Sequence, residues 1–516
     1  MPQFAVDGCW RSVSPGEGKT LASVLKRLPP LILIVVIASL AVAPAAQADE
    51  PLVPAQSARS FGDSVGVNTH IGWSDTPAYA NFDAVLARLR ELGVRYVRDG
   101  ICPTCVEWIS RLRRLGEAGI RINMVAGNLS DPASRMQENL NAMRDKLPGA
   151  IASIEAPNEP DQQGDPAWVG KEQIYQRLLY SRVNSDPKLR SLPVLGPALV
   201  YPASWAQLGD LTPYLDRGNM HPYPGGGTPL HNIADLLPRA HIVSGNKPIV
   251  ATEAGYHSDL ATTSGHYGTS ERAIGIYMPR LALEGFRNGL DRTYVYQLAD
   301  PWTNVSGFEN KFGLLRTDLS PKPAFLSLRN LLRAVDGDSA PVSAPGGVRF
   351  SLDGAQPDVR RLLLRSANGS YALVVWREVS VWDRVGKHDL FPSPEALTVD
   401  LGQSMKQAVL FKPVESSNEV ERIDDPNRIP LALDGSPVVL RLIPADAKKP
   451  GTKARRGNTS APTACASRLG GRLRCCAKSA RHKGKHRHRR HAVRRNRAYW
   501  RPLVHRTRVT TCGKRR

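Results

Sequence analysis

Eight short apolar runs alternate with amphipathic helical stretches across residues 62–335, and this alternation limits the fold more than any other feature of the chain. The runs are SVGVNTH (64–70), VRYVRDG (94–100), RINMVAGN (121–128), ASIEAPNE (152–159), LPVLGPA (192–198), GNMHPY (218–223), PIVATEAGY (248–256) and TYVYQLAD (293–300). Between the first two, Phe82, Val85, Leu86, Leu89 and Leu92 fall on one helical stripe, the period of a helix that buries one face. Strands that alternate with helices pair in parallel, and eight such units predict a (β/α)8 barrel. An open doubly wound sheet alternates too, but it seldom needs eight units. No glycine-rich phosphate loop follows the first run, which removes the usual reason to prefer it.

Residues 338–445 change period. GVRFSL, VRRLLLRSA, SYALVVWREV, ALTVDLG, QAVLFKPV, IPLALDG and PVVLRLIP are strand-like runs separated by Gly, Asn, Asp and Pro, with no helical period between them. They predict an all-β antiparallel sandwich beside the barrel. Residues 49–61 read as a linker.

Charge is distributed unevenly. The formal net charge is +22, yet residues 447–516 hold 24 Lys and Arg and no acid, which leaves 45 basic and 47 acidic residues in the remainder. A nearly neutral body with a basic, low-complexity tail (446–516) excludes a nucleic-acid reading for the body. The tail's composition predicts disorder. It would attract an anionic cell-surface polymer, or be solvated without a partner, or reflect a shifted reading frame; no specific nucleic acid is expected. At the other end, Lys26 and Arg27 precede LPPLILIVVIASLAVAP, and AQA at 46–48 offers a cleavage site. Residues 1–48 therefore read as an export signal, with a retained anchor as the alternative, and the protein is expected to be secreted or at the cell surface, as a monomer. Of seven cysteines, Cys102 and Cys105 in ICPTCVEW could close a small disulfide loop, which export favours.

A barrel of this kind presents its chemistry at the carboxyl ends of the strands. There the runs place His70, Arg98, Asn158, Glu159, His221, Tyr223 and Glu253, with Trp302 just beyond the eighth. Glu159 closes the fourth run and Glu253 the seventh, so both face one mouth across the barrel axis. Two facing carboxylates suit glycoside hydrolysis, in which one is protonated to donate to the leaving oxygen while the other is ionised. Arg98, if it points at Glu253, would hold that group ionised. The bland alternative is a pair of strand-end acids in ordinary ion pairs. No metal or organic cofactor is required.

NEP at 158–160, HPY at 221–223, TEAGY at 252–256 and FGLLRTDLSPKPAFLSL at 312–328 together resemble the retaining glycoside hydrolases of clan A, across roughly residues 62–335. GVNTH at the first strand is similar to family thirty-nine, and the arrangement of NEP, HPY, TEAGY and Trp302 also fits family five. NMVAGN at the third strand departs from family five, where a histidine is frequent. The resemblance implies Glu159 as acid/base and Glu253 as nucleophile. Asn158 would bind the sugar 2-hydroxyl, Arg98 and Tyr223 would orient Glu253, and His221 would sit near Glu159. Trp302 would form a stacking platform with Trp73 and Trp168 as weaker candidates, and Glu155 would be a supporting acid. The expected substrate is a β-linked polysaccharide or oligosaccharide. The rival expectation is a non-catalytic carbohydrate-binding surface protein on the same barrel.

Overall fold

Strands β1 (Val65–Asn68), β2 (Tyr96–Asp99), β3 (Arg121–Val125), β4 (Ile151–Glu155), β5 (Val194–Leu195), β6 (Gly218–Met220), β7 (Ile249–Ala254) and β8 (Arg292–Val295) are the eight runs expected from the sequence. Each pairs in parallel with its sequence neighbour, β8 pairs with β1, and a Leu195–Arg217 bridge joins β5 to β6. The result is a nearly closed (β/α)8 barrel. The structure is a computed structural model that describes residues 50–262, 266–303 and 305–445. The export signal and basic tail read from the sequence lie outside them. Among the described residues no helix is long and apolar enough to cross a membrane.

A main helix follows each strand: α1 (Phe82–Leu92), α2 (Val106–Glu117), α3 (Ala133–Lys146), α4 (Trp168–Ser185), α5 (Pro202–Leu208), α6 (Pro229–Ser244), α7 (Glu271–Arg287) and α8 (Pro323–Ala334); a single turn, Pro77–Ala80, precedes α1. In α1 the side chain of Asn81 accepts from Ala84 N, the five apolar stripe residues are all buried, and Gly93 ends the helix in the left-handed region at φ 86°. A glycine there avoids the Cβ clash that other residues suffer. Cys102 and Cys105 are disulfide-bonded in the turn before α2.

Two sheets form the sandwich, antiparallel throughout except for the parallel pairing of Gln56–Ser57. One has the order Leu52–Pro54, Gly347–Asp353, Glu395–Leu401, Arg428–Leu433; the other runs Glu419–Asp424, Gln407–Phe411, Val438–Ile443, Tyr371–Arg377, Val359–Arg365, Gln56–Ser57. Alternation along Tyr371–Arg377 decides what each face touches. Leu373 and Val375 enter the sandwich core, whereas Val374 and Trp376 join the core of the barrel. Helix α7 lies beneath and is buried from Ala273 to Gly285. Arg280, fully buried, donates to Glu378 Oε2 at 2.6 Å and to Val379 O at 2.8 Å, and Trp376 Nε1 donates to Glu284 Oε1 at 2.9 Å.

The described part of the expected linker, residues 50–61, is built into the fold. Leu52–Pro54 pairs with 347–349, Gln56–Ser57 pairs with Leu364 and Arg365, and Ala58–Asp63 is a helix. The paired segments are three and two residues long, too short to show a period, and their partners lie far along the chain. Glu419–Asp424 is a further strand beyond the expected runs; all but one of its residues are exposed, so no apolar alternation marks it.

Candidate active site

The barrel interior near its carboxyl end is polar, and Arg98 organises it. From β2 its guanidinium donates through Nε and Nη2 to the two oxygens of Glu155 on β4, each at 2.8 Å. Nη1 donates to Glu253 Oε1 at 2.6 Å and to Asn68 Oδ1 at 3.0 Å, and Nη2 also reaches Asn158 Oδ1 at 2.6 Å. Glu155, buried, accepts in addition from Asn123, from Asn219 at 3.2 Å and from Thr252 Oγ1 at 3.0 Å. A fixed planar fork bound on both edges is what a guanidinium provides and an ammonium does not.

Glu253, the fifth residue of β7, is 8 % exposed. Its second oxygen accepts from Tyr223 Oη at 2.5 Å, and His221 Nδ1 lies 3.8 Å away. Burial alone would raise its carboxyl; the charges of His221 and Arg98 and the Tyr223 hydroxyl outweigh that and hold it below the usual range. Tyr223 is itself pushed well above the ordinary phenol value, by burial first and by the charge of Glu253 next. It therefore remains a donor. Glu253 is fixed as an anion.

Glu159 follows β4 in the left-handed region, at φ 43° and ψ 58°. Such a conformation costs a non-glycine residue about 1–3 kcal/mol and is retained where the surroundings impose it. Pro160 opens a short 3₁₀ turn behind it, and Gln163 Nε2 donates to Asn158 O at 2.9 Å. Glu159 Oε1 lies 2.7 Å from His221 Nδ1, whose Nε2 is 2.9 Å from Thr252 Oγ1. The Thr252 hydroxyl has one proton and two pure acceptors beside it, Glu155 Oε1 at 3.0 Å and Asn219 Oδ1 at 2.8 Å. The pattern assigns Nε2 as a donor to Thr252. Glu159 and His221 Nδ1 then share one proton, as imidazolium and carboxylate or as imidazole and carboxylic acid. Burial lowers the His221 value, but the carboxylates of Glu253 and Glu159 more than offset this and raise it. A proton is thus kept on the His221–Glu159 pair, next to an anion that has none.

Glu159, His221 and Glu253 each offer an atom within 4.8 Å of the others. That spacing could suit a divalent cation. The donor set argues against one, because Glu253 already bonds Arg98 and Tyr223 and a cation would displace the shared proton.

Glu159, Glu253, Asn158, Arg98, His221 and Tyr223 are therefore assembled at one mouth. His70 stands to one side, its ring stacked on Trp73 at 3.8 Å and edge-on to Tyr296 at 5.9 Å. Its value is lowered to about 4, chiefly by burial, which keeps it neutral. Trp302 is 39 % exposed, and among the described residues neither a ring contact nor a hydrogen bond ties it to the carboxylates. The residue that β8 delivers to the mouth is Tyr296, 6.3 Å from Tyr223. Trp168 is buried in the barrel core at the start of α4.

Sequence reasoning missed His266, Phe312 and Glu309. His266 and Phe312 pack on Tyr223 at 4.8 and 5.5 Å. Glu309 is exposed, yet protein atoms crowd it; that crowding first, and the charges of Glu253 and Glu159 next, raise its carboxyl to about 7. All three lie on long loops after β7 and β8, where no strand parity guides the eye.

No protein-family model matches the sequence, and no curated protein does. Solved structures do match in fold. A family 39 glycoside hydrolase from the gut symbiont Bacteroides cellulosilyticus WH2 superposes with a TM-score of 0.54 at 15% identity, over 76% of this chain and 83% of that one. A glucosidase from Croceicoccus marinus does so with a TM-score of 0.51 at 12% identity, over 76% and 96%. The likeness spans barrel and sandwich together, and the chain has the fold of these glycoside-cleaving proteins.

Proposed function

We propose that this protein is a retaining glycoside hydrolase acting on β-linked polysaccharides or oligosaccharides. The observation that carries the reading is the pair Glu159 and Glu253, with oxygens within 4.8 Å at the ends of β4 and β7, the first against the His221 imidazole and the second against the Arg98 guanidinium. Carboxyl groups about 5–5.5 Å apart serve double displacement, whereas inversion needs about 6.5–9.5 Å to admit a water. Glu253 attacks the anomeric carbon while Glu159 gives its proton to the departing oxygen. Water, deprotonated by Glu159, then releases the sugar from Glu253. His221 holds the mobile proton between the two steps. Asn158, its carbonyl oxygen fixed by Arg98, has its amide free to meet the sugar 2-hydroxyl. Export through residues 1–48, and attraction of the basic tail to an anionic surface polymer, belong to the same reading.

The test is turnover on a panel of aryl β-glycosides and β-linked polysaccharides, with the anomer of the first product read by NMR. Wild type should release the β-anomer and Glu253→Gln should release nothing. Glu159→Ala should be slow on poor leaving groups and accelerated by azide. An α-anomer as first product, or full activity in Glu253→Gln, would overturn the mechanism.

A further inference from the structure

The opposite end of the barrel carries a second polar cavity. It has a volume of about 270 Å³, close to the low end of the roughly 300–1,000 Å³ usual for small-molecule sites, and Tyr96, Arg121, Ser153, Arg217, Val250 and Arg292 are among its walls. Strand parity explains how three arginines come together. Arg121 is two residues before Asn123 on β3, Arg217 two before Asn219, and Arg292 two before Tyr294 on β8. Since Asn123, Asn219 and Tyr294 point into the barrel, so do the arginines one layer lower. Above them Leu195, Val250 and Tyr294 fill the interior, with Tyr96 packed against them. This cavity is therefore separate from the candidate active site.

The three cations are unevenly paired. Arg217 Nε bonds Asp291 Oδ2 at 2.5 Å, and its Nη atoms have no acceptor among the described residues. Arg292 lies flat on the Tyr96 ring, 3.5 Å from its centroid, with Nε donating to Asp63 O at 2.7 Å. Its one further hydrogen bond among the described residues, Nη1 to Tyr294 Oη, is long at 3.5 Å. Arg121 has neither hydrogen bond nor ion pair from its side chain among the described residues. Nearby acids are engaged elsewhere: Asp63 by Arg59 and Arg95, and Asp216 by Val194 N. Three guanidiniums thus face one carboxylate in a body whose overall charge is close to neutral. Like charges gathered around a cavity repel, and an anion with several oxygens is the partner that their forked donors fit.

We propose that this amino-terminal cavity is an oxyanion site, which takes phosphate or sulfate, either free or as the ester group of a small molecule. The test uses the full chain, melted in increasing inorganic phosphate or sulfate against sodium chloride at matched ionic strength, with glucose 6-phosphate as the ester. The expected result is a saturable rise in Tm of roughly 1–4 °C for phosphate or sulfate. Saturation at a lower concentration of glucose 6-phosphate than of phosphate would identify an ester site, and equal behaviour a site for the free ion. Arg121→Ala should fold normally, having lost no partner, and should need about tenfold or more phosphate for the same rise. Arg217→Gln should weaken the response as well. The basic tail is the same in every variant, so a rise that survives Arg121→Ala comes from elsewhere and overturns the proposal. So does the absence of any saturable rise.

Discussion

Replacing Tyr223 with Phe removes one hydroxyl and leaves the ring among His266, Phe312 and Tyr296, at 4.8, 5.5 and 6.3 Å. What is lost is the 2.5 Å bond to Glu253 Oε2. A hydrogen bond to a charged group contributes about 1.5–3 kcal/mol, which corresponds to roughly 1–2 pKa units. Arg98 still holds the other oxygen at 2.6 Å, so the carboxyl stays ionised at neutral pH but titrates higher. In the pH profile of kcat/KM the acidic limb should therefore move up by about 1–2 units. The alkaline limb, set by the proton shared between Glu159 and His221, should stay. Stability follows with a definite sign. The depressed carboxyl of Glu253 stabilises the fold above its unfolded value near pH ~4.3, and that contribution is lost as pH falls through the lower folded value. Thermal melts of wild type and variant should differ at pH 7 and converge in acid. An acidic limb that moves by less than about 0.3 unit, in a variant that melts normally, would show that Tyr223 does not hold the charge of Glu253.

Three further outcomes can be checked on stability alone. Arg280→Met leaves Glu378, whose side chain is 6% exposed, without its counter-charge; chemical denaturation should show a loss of about 3–5 kcal/mol, largely restored by adding Glu378→Leu. Glu172 in α4 is fully buried, neither of its oxygens has a hydrogen-bond partner, and burial raises its carboxyl well above the usual range. Its contribution is full below pH ~4.3 and fades as pH rises through the folded value, so Glu172→Gln should gain over wild type between pH 5 and pH 8, and parallel curves would refute this. Reduction of the Cys102–Cys105 bond, which spans a sequence separation of 3, should cost no more than about 2 kcal/mol in urea melts.

The barrel and the carboxylate pair were legible because strand ends in this fold are a small set of positions and parity sorts them. Arg98, Asn158, Glu159, His221, Tyr223 and Glu253 all belong to that set, and the structure draws all six together. Trp302 does not belong, being well past the end of β8, and nothing local in ADPW tells which way the ring turns. His266, Glu309 and Phe312 were invisible for the same reason. Thr252 and Asn219 show a different limit. Their role is to assign a proton on His221, and it depends on who faces whom across three strands, which no single run records. The strands at 52–57 were missed because their pairing partners follow the entire barrel in sequence.

That last pairing bears on how the chain is made. Leu52 meets Arg349 roughly 300 residues later, and synthesis at about 5–20 residues per second puts some 15–60 s between the two. Throughout that interval the segment has no sheet to join, although the barrel downstream of it is emerging. The sandwich is therefore completed by the first described residues to be made and the last. The barrel is one uninterrupted piece of sequence, but the sandwich cannot be moved to another protein as such a piece without leaving its edge strands behind.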